Sequence, residues 1–323
     1  MCKPLVSILI PCYNHAQFLD DCLKSILAQD YENIELLICD DCSPDSSFEK
    51  ILSYEAQLRE RFSRVEILKN DTNQGVTKNI NRMLTLAEGE LIKTLASDDC
   101  LAPNAIGEMA AYLQENPAVD VVVANGVTVL ESEGYPHFTP QARLYDTPPD
   151  FSGADFYVRV ARCNPISAPA AMVRKSVYDR FGLYDETLKV EDYEFWLRLL
   201  IEGDCRFGFL DRNLLYYRIN ANSMTSAVSN SGLERRRRLF HQSELDTLQK
   251  FRQAFAPEVF AALVLDRIHK ERCTAINHRL WAWESELWES WKKFDGWKNL
   301  SSSARRKLRY AGLRQSVKKA ITK

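Results

Sequence analysis

Residues 90–124 read "ELIKTLASDDCLAPNAIGEMAAYLQENPAVDVVVA", and how they are read decides the fold. A mostly apolar run, Leu91 to Ala96, stops at two adjacent carboxylates, Asp98 and Asp99. Pro103 then opens an amphipathic, helix-like segment over 104–115, and a second apolar run follows at 119–124. Apolar strand, helix, apolar strand is the pattern of a parallel sheet covered by helices. Like charges side by side at a strand end are locally unfavourable. Either solvent and a helix cap offset them, or a cation or ligand does.

The same alternation extends towards the N-terminus. "LVSILI" (5–10), "IELLIC" (34–39) and "VEILK" (65–69) are strand-like, with amphipathic helical patterns at 16–29, 46–62 and 76–87. In such sheets ligands sit at the carboxyl ends of the strands. The residues there are Pro11, Cys12, Tyr13 and Asn14 after the first strand, Asp40 and Asp41 after the second, and Ser97, Asp98 and Asp99 after the fourth. These three strand ends converge on one crevice. Neither GxGxxG nor GxxxxGK[ST] occurs, so a bound phosphate needs a metal to neutralise it. Asp98 and Asp99 are the candidates to hold that metal. Neighbouring residues of an extended strand point to opposite sides, so one acid suits the cation and the other a ribose hydroxyl or nearby backbone. Mg²⁺ and similar hard ions take a few carboxylate oxygens plus substrate phosphates.

Residues 130–150, with four prolines, read as an irregular loop, and 153–218 is mixed, with a helix around 190–202 and strand-like "CRFGFL" and "LLYYRI". Within "KVEDYEFWLRLLIEG" (189–203), Tyr193, Trp196, Leu197 and Leu200 share one helix face. Glu191 and Asp192 fall at the start of that helix, where the macrodipole favours acids in any protein. The functional alternative makes Asp192 a general base, tuned down by the helix end and up by Phe195 and Trp196. From about 230 the pattern is helical throughout. It includes the charge run "ERRRRLF", a solvated face or an acceptor-phosphate site, and the stripe Leu280, Trp283, Leu287, Trp291 and Phe294.

Composition bounds the classes. The chain has 323 residues, 46% hydrophobic and 27% charged, room for a large domain and an appendage. No apolar run approaches bilayer-spanning length, and the apolar core of "MCKPLVSILIPCYN" is short for a secretory signal, so the cytoplasm is the expected compartment. Nine scattered cysteines suit a reducing environment, and the CxxC of Cys39 and Cys42 has no second pair at zinc spacing. Residues 301–323 hold eight Lys and Arg and no acids, so a formal net charge of −2 leaves −10 on the preceding 300. That balance is unlike a nucleic-acid-binding domain. Tyr310, Leu313, Val317 and Ile321 make the tail over 304–323 a basic amphipathic helix, suited to an anionic membrane surface, to docking on the acidic body, or to neither.

The order "VSILIPCYN", "DDCSPD", "NQG", "AEGELIKTLASDDCLAP" and "FGLYDETLKVEDYEFWLRL" resembles the family 2 glycosyltransferases of the GT-A fold over residues 4–220. The resemblance implies an α/β fold, a Rossmann-like, mostly parallel sheet with helices on both faces binding a nucleotide sugar, and the helical pattern from about 230 adds an all-α C-terminal extension. Its divisions are 1–225 for the transferase domain (a nucleotide-sugar half, 1–125, and an acceptor half, 126–225) and 226–323 for the extension. It implies transfer from a nucleotide-diphosphate donor, a UDP-sugar, to a saccharide acceptor that is often lipid-linked, with inversion and a divalent metal, Mg²⁺ or Mn²⁺. It places the chain in bacterial cell-surface polysaccharide assembly at the cytoplasmic face of the membrane. By resemblance, Pro11 and Tyr13 flank the nucleoside, with Asn14 beside them, and Asp41 accepts a hydrogen bond from uracil next to Asp40. Asp98 and Asp99 stand where the family has its ribose and metal carboxylates, Asp99 carrying most of the metal. Asp192, with Glu191 next to it, stands where the family has its base. Two departures stand out: Ala96 replaces the first acid of the frequent DxDD pattern, and Asn220 replaces the frequent His after "YR". A sugar-phosphate nucleotidyltransferase and a catalytically silent nucleotide-sugar-binding scaffold are the rival readings.

Overall fold

The computed structural model describes residues 3–219, 233–278 and 280–293. Asn220, Phe294 and the tail over 304–323 lie outside the described residues. Two compact units are present. One comprises Met1–Phe156, Pro165–Glu186 and Arg198–Ser226, and the other Tyr157–Asn164, Thr187–Leu197 and Ala227–Lys323. In chain order the elements are β1 (Val6–Cys12), α1 (Leu19–Leu27), β2 (Ile34–Asp40), α2 (Ser47–Ser53), α3 (Glu55–Arg61), β3 (Arg64–Lys69), α4 (Val76–Leu86), β4 (Leu91–Thr94), β5 (Cys100–Leu101) and α5 (Ala105–Glu115). They continue with β6 (Val121–Leu130), α6 (Phe156–Cys163), β7 (Ala171–Arg174), α7 (Lys175–Phe181), α8 (Glu191–Ile201), β8 (Phe207–Ile219), α9 (Leu233–Lys250), α10 (Pro257–Asn277) and α11 (Trp281–Lys293).

All eight strands belong to the first unit and form one sheet in the order β3-β2-β1-β4-β7-β6-β8-β5. β3, β2, β1 and β4 are parallel, with Val6 opposite Ile34 on one side and Leu91 on the other. β7 is antiparallel between β4 and β6, and β6 pairs with β8 in parallel. The class is therefore α/β, with a mostly parallel but mixed sheet. Every residue of β2 is buried, and successive side chains point to opposite faces, so both faces of the sheet are covered there. Leu19, Cys22, Leu23 and Ile26 of α1 and Ile106, Met109 and Leu113 of α5 supply apolar cover at helical spacing.

Three local expectations change. The single helix expected over 46–62 breaks at Tyr54, whose N–H reaches back only to the Ile51 carbonyl (3.1 Å) and whose hydroxyl donates to Asp20 of α1 (2.9 Å). The runs read as two strands, "CRFGFL" and "LLYYRI", are one strand, β8. The polar residues between them bulge instead of turning: Ala124 faces Leu210, Asn125 faces Asn213 and Gly126 faces Leu215. β7, four residues long, carries too little pattern to be read from sequence.

A buried acid fastens the centre of the sheet. Glu35 of β2, fully buried, accepts hydrogen bonds from the Ser7 hydroxyl, from the N–H groups of Glu88 (2.6 Å) and Gly89 (2.9 Å), and from Arg64 (2.7 Å). Gly89 has no room for a side chain, since a Cβ would stand 2.7 Å from the Ser7 nitrogen and 2.8 Å from the Leu5 carbonyl oxygen. Burial alone raises the Glu35 carboxyl, but the bonds from Ser7, Arg64 and the two N–H groups outweigh it and hold it below its ordinary value. A depressed acid contributes stability above its unfolded-state value, near 4.3, and loses it as pH falls through the folded one. Glu35→Gln is thus expected to cost about 1–2 kcal/mol in urea unfolding at pH 7 and distinctly less at pH 3. An equal loss at both pH values would refute the ionic role.

The described residues of the second unit are mostly helical. Arg237 of α9 pairs with the buried Glu271 of α10, and Arg238 pairs with Glu234 (2.9 Å) and with Glu286 of α11 (2.5 Å). The run "ERRRRLF" therefore joins three helices through Arg237 and Arg238, a use that neither sequence reading anticipated. On α11, Trp283 and Leu287 of the expected stripe are buried, and Leu280 just before it is half-buried.

Candidate active site

The sheet register brings the first three candidate stretches together in the first unit. Pro11 lies opposite Cys39 and Cys12 opposite Asp40, and cross-links beyond the strand ends fix the loops. Asn14 adopts a left-handed φ of 56°, which Asn tolerates, and its N–H donates to Ser43 Oγ (2.9 Å). The Ala16 N–H donates to Asp45 (3.0 Å), and His15 Nδ1 meets Ser97 Oγ at 2.8 Å. Tyr13, anchored by neither, is 46% exposed at the end of β1. The chain thus presents an aromatic ring on a rigid turn, a suitable platform for a base.

Asp40 and Asp41 face inward. Asp41 is buried, with one oxygen accepting from Asn70 Nδ2 (2.8 Å) and the Gln74 N–H (2.7 Å) and the other from the Gly75 N–H (2.8 Å). Gly75, at φ 88°, supplies the left-handed backbone that aims its N–H there and opens α4. Asp41 thereby closes the 70–75 loop, and a contact with a base would use the remaining lone pairs of the same carboxylate. Asp40 is fully buried. Its Oδ2 accepts the Ser43 N–H (3.1 Å), while its Oδ1 has no hydrogen-bond partner.

Asp98 and Asp99 sit in a turn in which the Asp99 N–H reaches the Ala96 carbonyl (3.1 Å). The two residues differ there in burial, although they lie in a turn and not in an extended strand. Asp99 is 2% exposed and accepts the Arg218 backbone N–H on Oδ1 (2.9 Å), whereas Asp98 is half-buried. Burial, with the Asp98 charge beside it, pushes the Asp99 carboxyl well above the usual carboxylate range. Arg218 of β8 is the hub of this turn. Its Nε donates to the Asp98 carbonyl (2.9 Å), its Nη2 to Asp21 of α1 (2.9 Å) and its Nη1 to the Glu133 carbonyl (2.6 Å). The guanidinium lies over Phe18 (5.2 Å) and Phe138 (5.3 Å). Nothing in "LLYYRI" marks Arg218 as buried, because an arginine in a strand reads as solvent-facing.

Among the described residues no three His, Cys, Asp or Glu side chains gather as a metal cluster. The donor set still fits a hard divalent ion of the kind that relies on phosphates: a half-exposed carboxylate, Asp98, with Asp99 adjacent in a clamped turn.

The second unit holds the other acidic pair. Glu191 and Asp192 open α8, and the C-terminal helices grip that opening. The N–H groups of Lys189 and Val190 donate to Ser243 Oγ of α9 (2.8 and 3.3 Å), and Lys250 of α9 bonds the fully buried Glu194 (2.8 Å). Asp192 Oδ2 accepts from Asn164 Nδ2 (3.2 Å), the residue that ends α6. Burial first, and the Asp192 charge second, push Glu191 up to about 8. Burial also raises Asp192, against the pull of the helix N–H groups and of Asn164. Two adjacent acids with such unequal surroundings are suited to acid–base work. Asn164 has one sequence signal, the turn-forming dipeptide Asn164-Pro165.

A sequence model described as glycosyl transferase family 2 matches residues 7–181, from β1 through α7. The chain belongs to this family. Glu191 and Asp192 lie just beyond the matched stretch. The chain is 28% identical over 283 residues to EpsE of Bacillus subtilis, assigned as a glycosyltransferase, covering 83% of this chain and 94% of that one. It is 32% identical over 202 residues to WcaA of Escherichia coli, assigned to glycosyl transfer in colanic acid biosynthesis, covering 62% and 67%. Among solved structures, TarS 1–349 of S. aureus in complex with UDP-GlcNAc superposes with a TM-score of 0.56 at 18% identity, covering 90% of this chain and 95% of that one. The mannosyltransferase PcManGT of Pyrobaculum calidifontis, in complex with GDP-Man and Mn²⁺, gives 0.57 at 15% identity, covering 91% and 89%. The last two show a shared fold. The family match supplies the coarse function, glycosyl transfer. No described helix is long and apolar enough to cross a membrane.

Proposed function

We propose that the chain transfers a sugar from a UDP-sugar to a hydroxyl of a saccharide acceptor, with inversion, in cell-surface polysaccharide assembly. The observation that carries this reading is the Asp98–Asp99 turn at the carboxyl end of β4, clamped by Arg218, in a chain of this family. Tyr13 with Pro11 and Asn14 lines the nucleoside, and Asp40 and Asp41 shape its base pocket. Asp98 and Asp99 would hold a divalent cation, Mg²⁺ or Mn²⁺, whose charge would offset that of the departing diphosphate. Asp192 takes the proton of the acceptor hydroxyl. That oxygen bonds to the anomeric carbon as the bond from that carbon to the diphosphate oxygen breaks, and UDP leaves with the electron pair. Burial and the Asp192 charge raise the Glu191 carboxyl, which favours its protonated form beside the base.

Thermal unfolding with UDP, GDP, CDP and dTDP, each with and without Mn²⁺, tests the donor side. A nucleotide at 100 times its dissociation constant adds roughly 2.7 kcal/mol. Stabilisation by UDP that requires Mn²⁺ is the expected result. GDP in its place would change the donor, and no shift with any nucleotide would overturn the nucleotide-sugar reading.

A further inference from the structure

Asn164 ends α6 at a left-handed φ of 38°, its N–H closing on the Val160 carbonyl (2.9 Å). Helices commonly end on such a residue, and glycine serves there at least as well. The amide, however, is turned so that Nδ2 donates to Asp192 Oδ2 (3.2 Å), which leaves Oδ1 buried with no hydrogen-bond partner. A buried amide oxygen without a donor is costly, and a helix end alone does not require one.

The end of α6 is itself held in place. The Ala161 carbonyl accepts two hydrogen bonds, from the Tyr193 hydroxyl (2.7 Å) and from Arg267 Nη2 of α10 (3.0 Å). Arg267, 2% exposed, also lies over the Tyr193 ring at 4.8 Å and pairs with Glu244 of α9. Tyr193 follows Asp192 directly, so its hydroxyl ties the Asp192 side of the contact to the last turn of α6.

We propose that Asn164 is a positioning residue for Asp192: its amide fixes the rotamer of the base and favours its carboxylate form, while Arg267 and Tyr193 hold the turn that carries it. This rests on the reading of Asp192 as the base. The C-terminal helices are then a working part of the transferase, since α9 and α10 brace both sides of the contact.

The charged groups facing Asp192 are Glu191 beside it and Glu244, and Glu244 is paired with Arg267. Asp192 lies above its ordinary value, so the unfolded chain ionises it first and stability is lost as pH rises from about 4. Removing the amide raises it further and extends that loss to higher pH.

Three chains decide the matter: wild type, Asn164→Gly, which keeps the left-handed backbone, and Asn164→Asp, which keeps the shape but replaces the donor with a charge. Unfolding of each is followed from pH 4 to pH 8, with Asp192 intact and with Asp192→Asn, in the full chain without substrate. Both Asn164 variants should lose stability relative to wild type increasingly as pH rises, and Asp192→Asn should abolish the pH-dependent gap of Asn164→Gly, the variant that brings no titrating group of its own. In parallel, UDP release from UDP-glucose with mixed alkyl glycosides as acceptors should show the acid limb of kcat/KM displaced upward, about tenfold at its steepest for Asn164→Asp, with KM for the donor unchanged. A helix end with no other role predicts superimposable curves for Asn164→Gly. A gap for Asn164→Gly that survives Asp192→Asn overturns the contact but leaves Asp192 as the base. A gap that vanishes while the rate profile stays in place removes Asp192 as the base, and this role with it.

Discussion

Asp192→Asn is expected to reduce UDP release with acceptor by about 10²- to 10⁴-fold, the usual contribution of a positioned general base. The substitution is nearly isosteric, and an Asn carbonyl oxygen still accepts from Asn164 Nδ2, so the opening of α8 should keep its shape. What it removes is the ability to take a proton. Every group proposed to contact the nucleotide, from Pro11 to Asp99, belongs to the other compact unit. The Mn²⁺-dependent stabilisation by UDP should therefore match wild type. Lost turnover with intact nucleotide binding is the signature of a missing base. Undiminished turnover would move the base elsewhere, and lost binding would mean that Asp192 serves the donor.

Arg218→Met is expected to cost about 3–5 kcal/mol in urea unfolding, the range found when one member of a buried ion pair is removed. Methionine fills much of the volume but donates nothing. Asp21 would lose its cation, and the carbonyls of Asp98 and Glu133 would lose their donors. Arg218→Lys should recover only part of this, because an ammonium on a flexible stem cannot reproduce a planar fork directed at three partners. The bond from the Arg218 backbone to Asp99 survives either change. Mn²⁺-dependent UDP binding should weaken together with stability, since the Asp98 end of the turn is then released. An unfolding midpoint near wild type for Arg218→Met would show that the clamp is dispensable.

Both predictions rest on features of very different visibility in the sequence. Adjacent carboxylates after an apolar run marked Asp98 and Asp99, because strand and strand end are local patterns. Their unequal fates were not local: Asp99 turns inward to a backbone N–H 119 residues away. Asp41 likewise stood out as an acid at a strand end, while its closure of the 70–75 loop required the fold to bring Gln74 and Gly75 to it. Arg237 and Arg238 read as a solvated charge run, yet their partners are Glu271 and Glu286 on later helices.

Local sequence pattern was enough for the α/β alternation, the strand ends that carry acids, the helical C-terminal part and the family. These follow from apolar periodicity and short motifs, which near neighbours encode. It took the folded chain to show that β8 is one bulged strand beside β6, that Arg218 clamps the Asp98–Asp99 turn, and that Asn164 meets Asp192 within a helical scaffold. Those outcomes depend on which donor meets which oxygen across long separations in the chain. Burial makes each such pairing costly to leave unmade, and no local pattern records it.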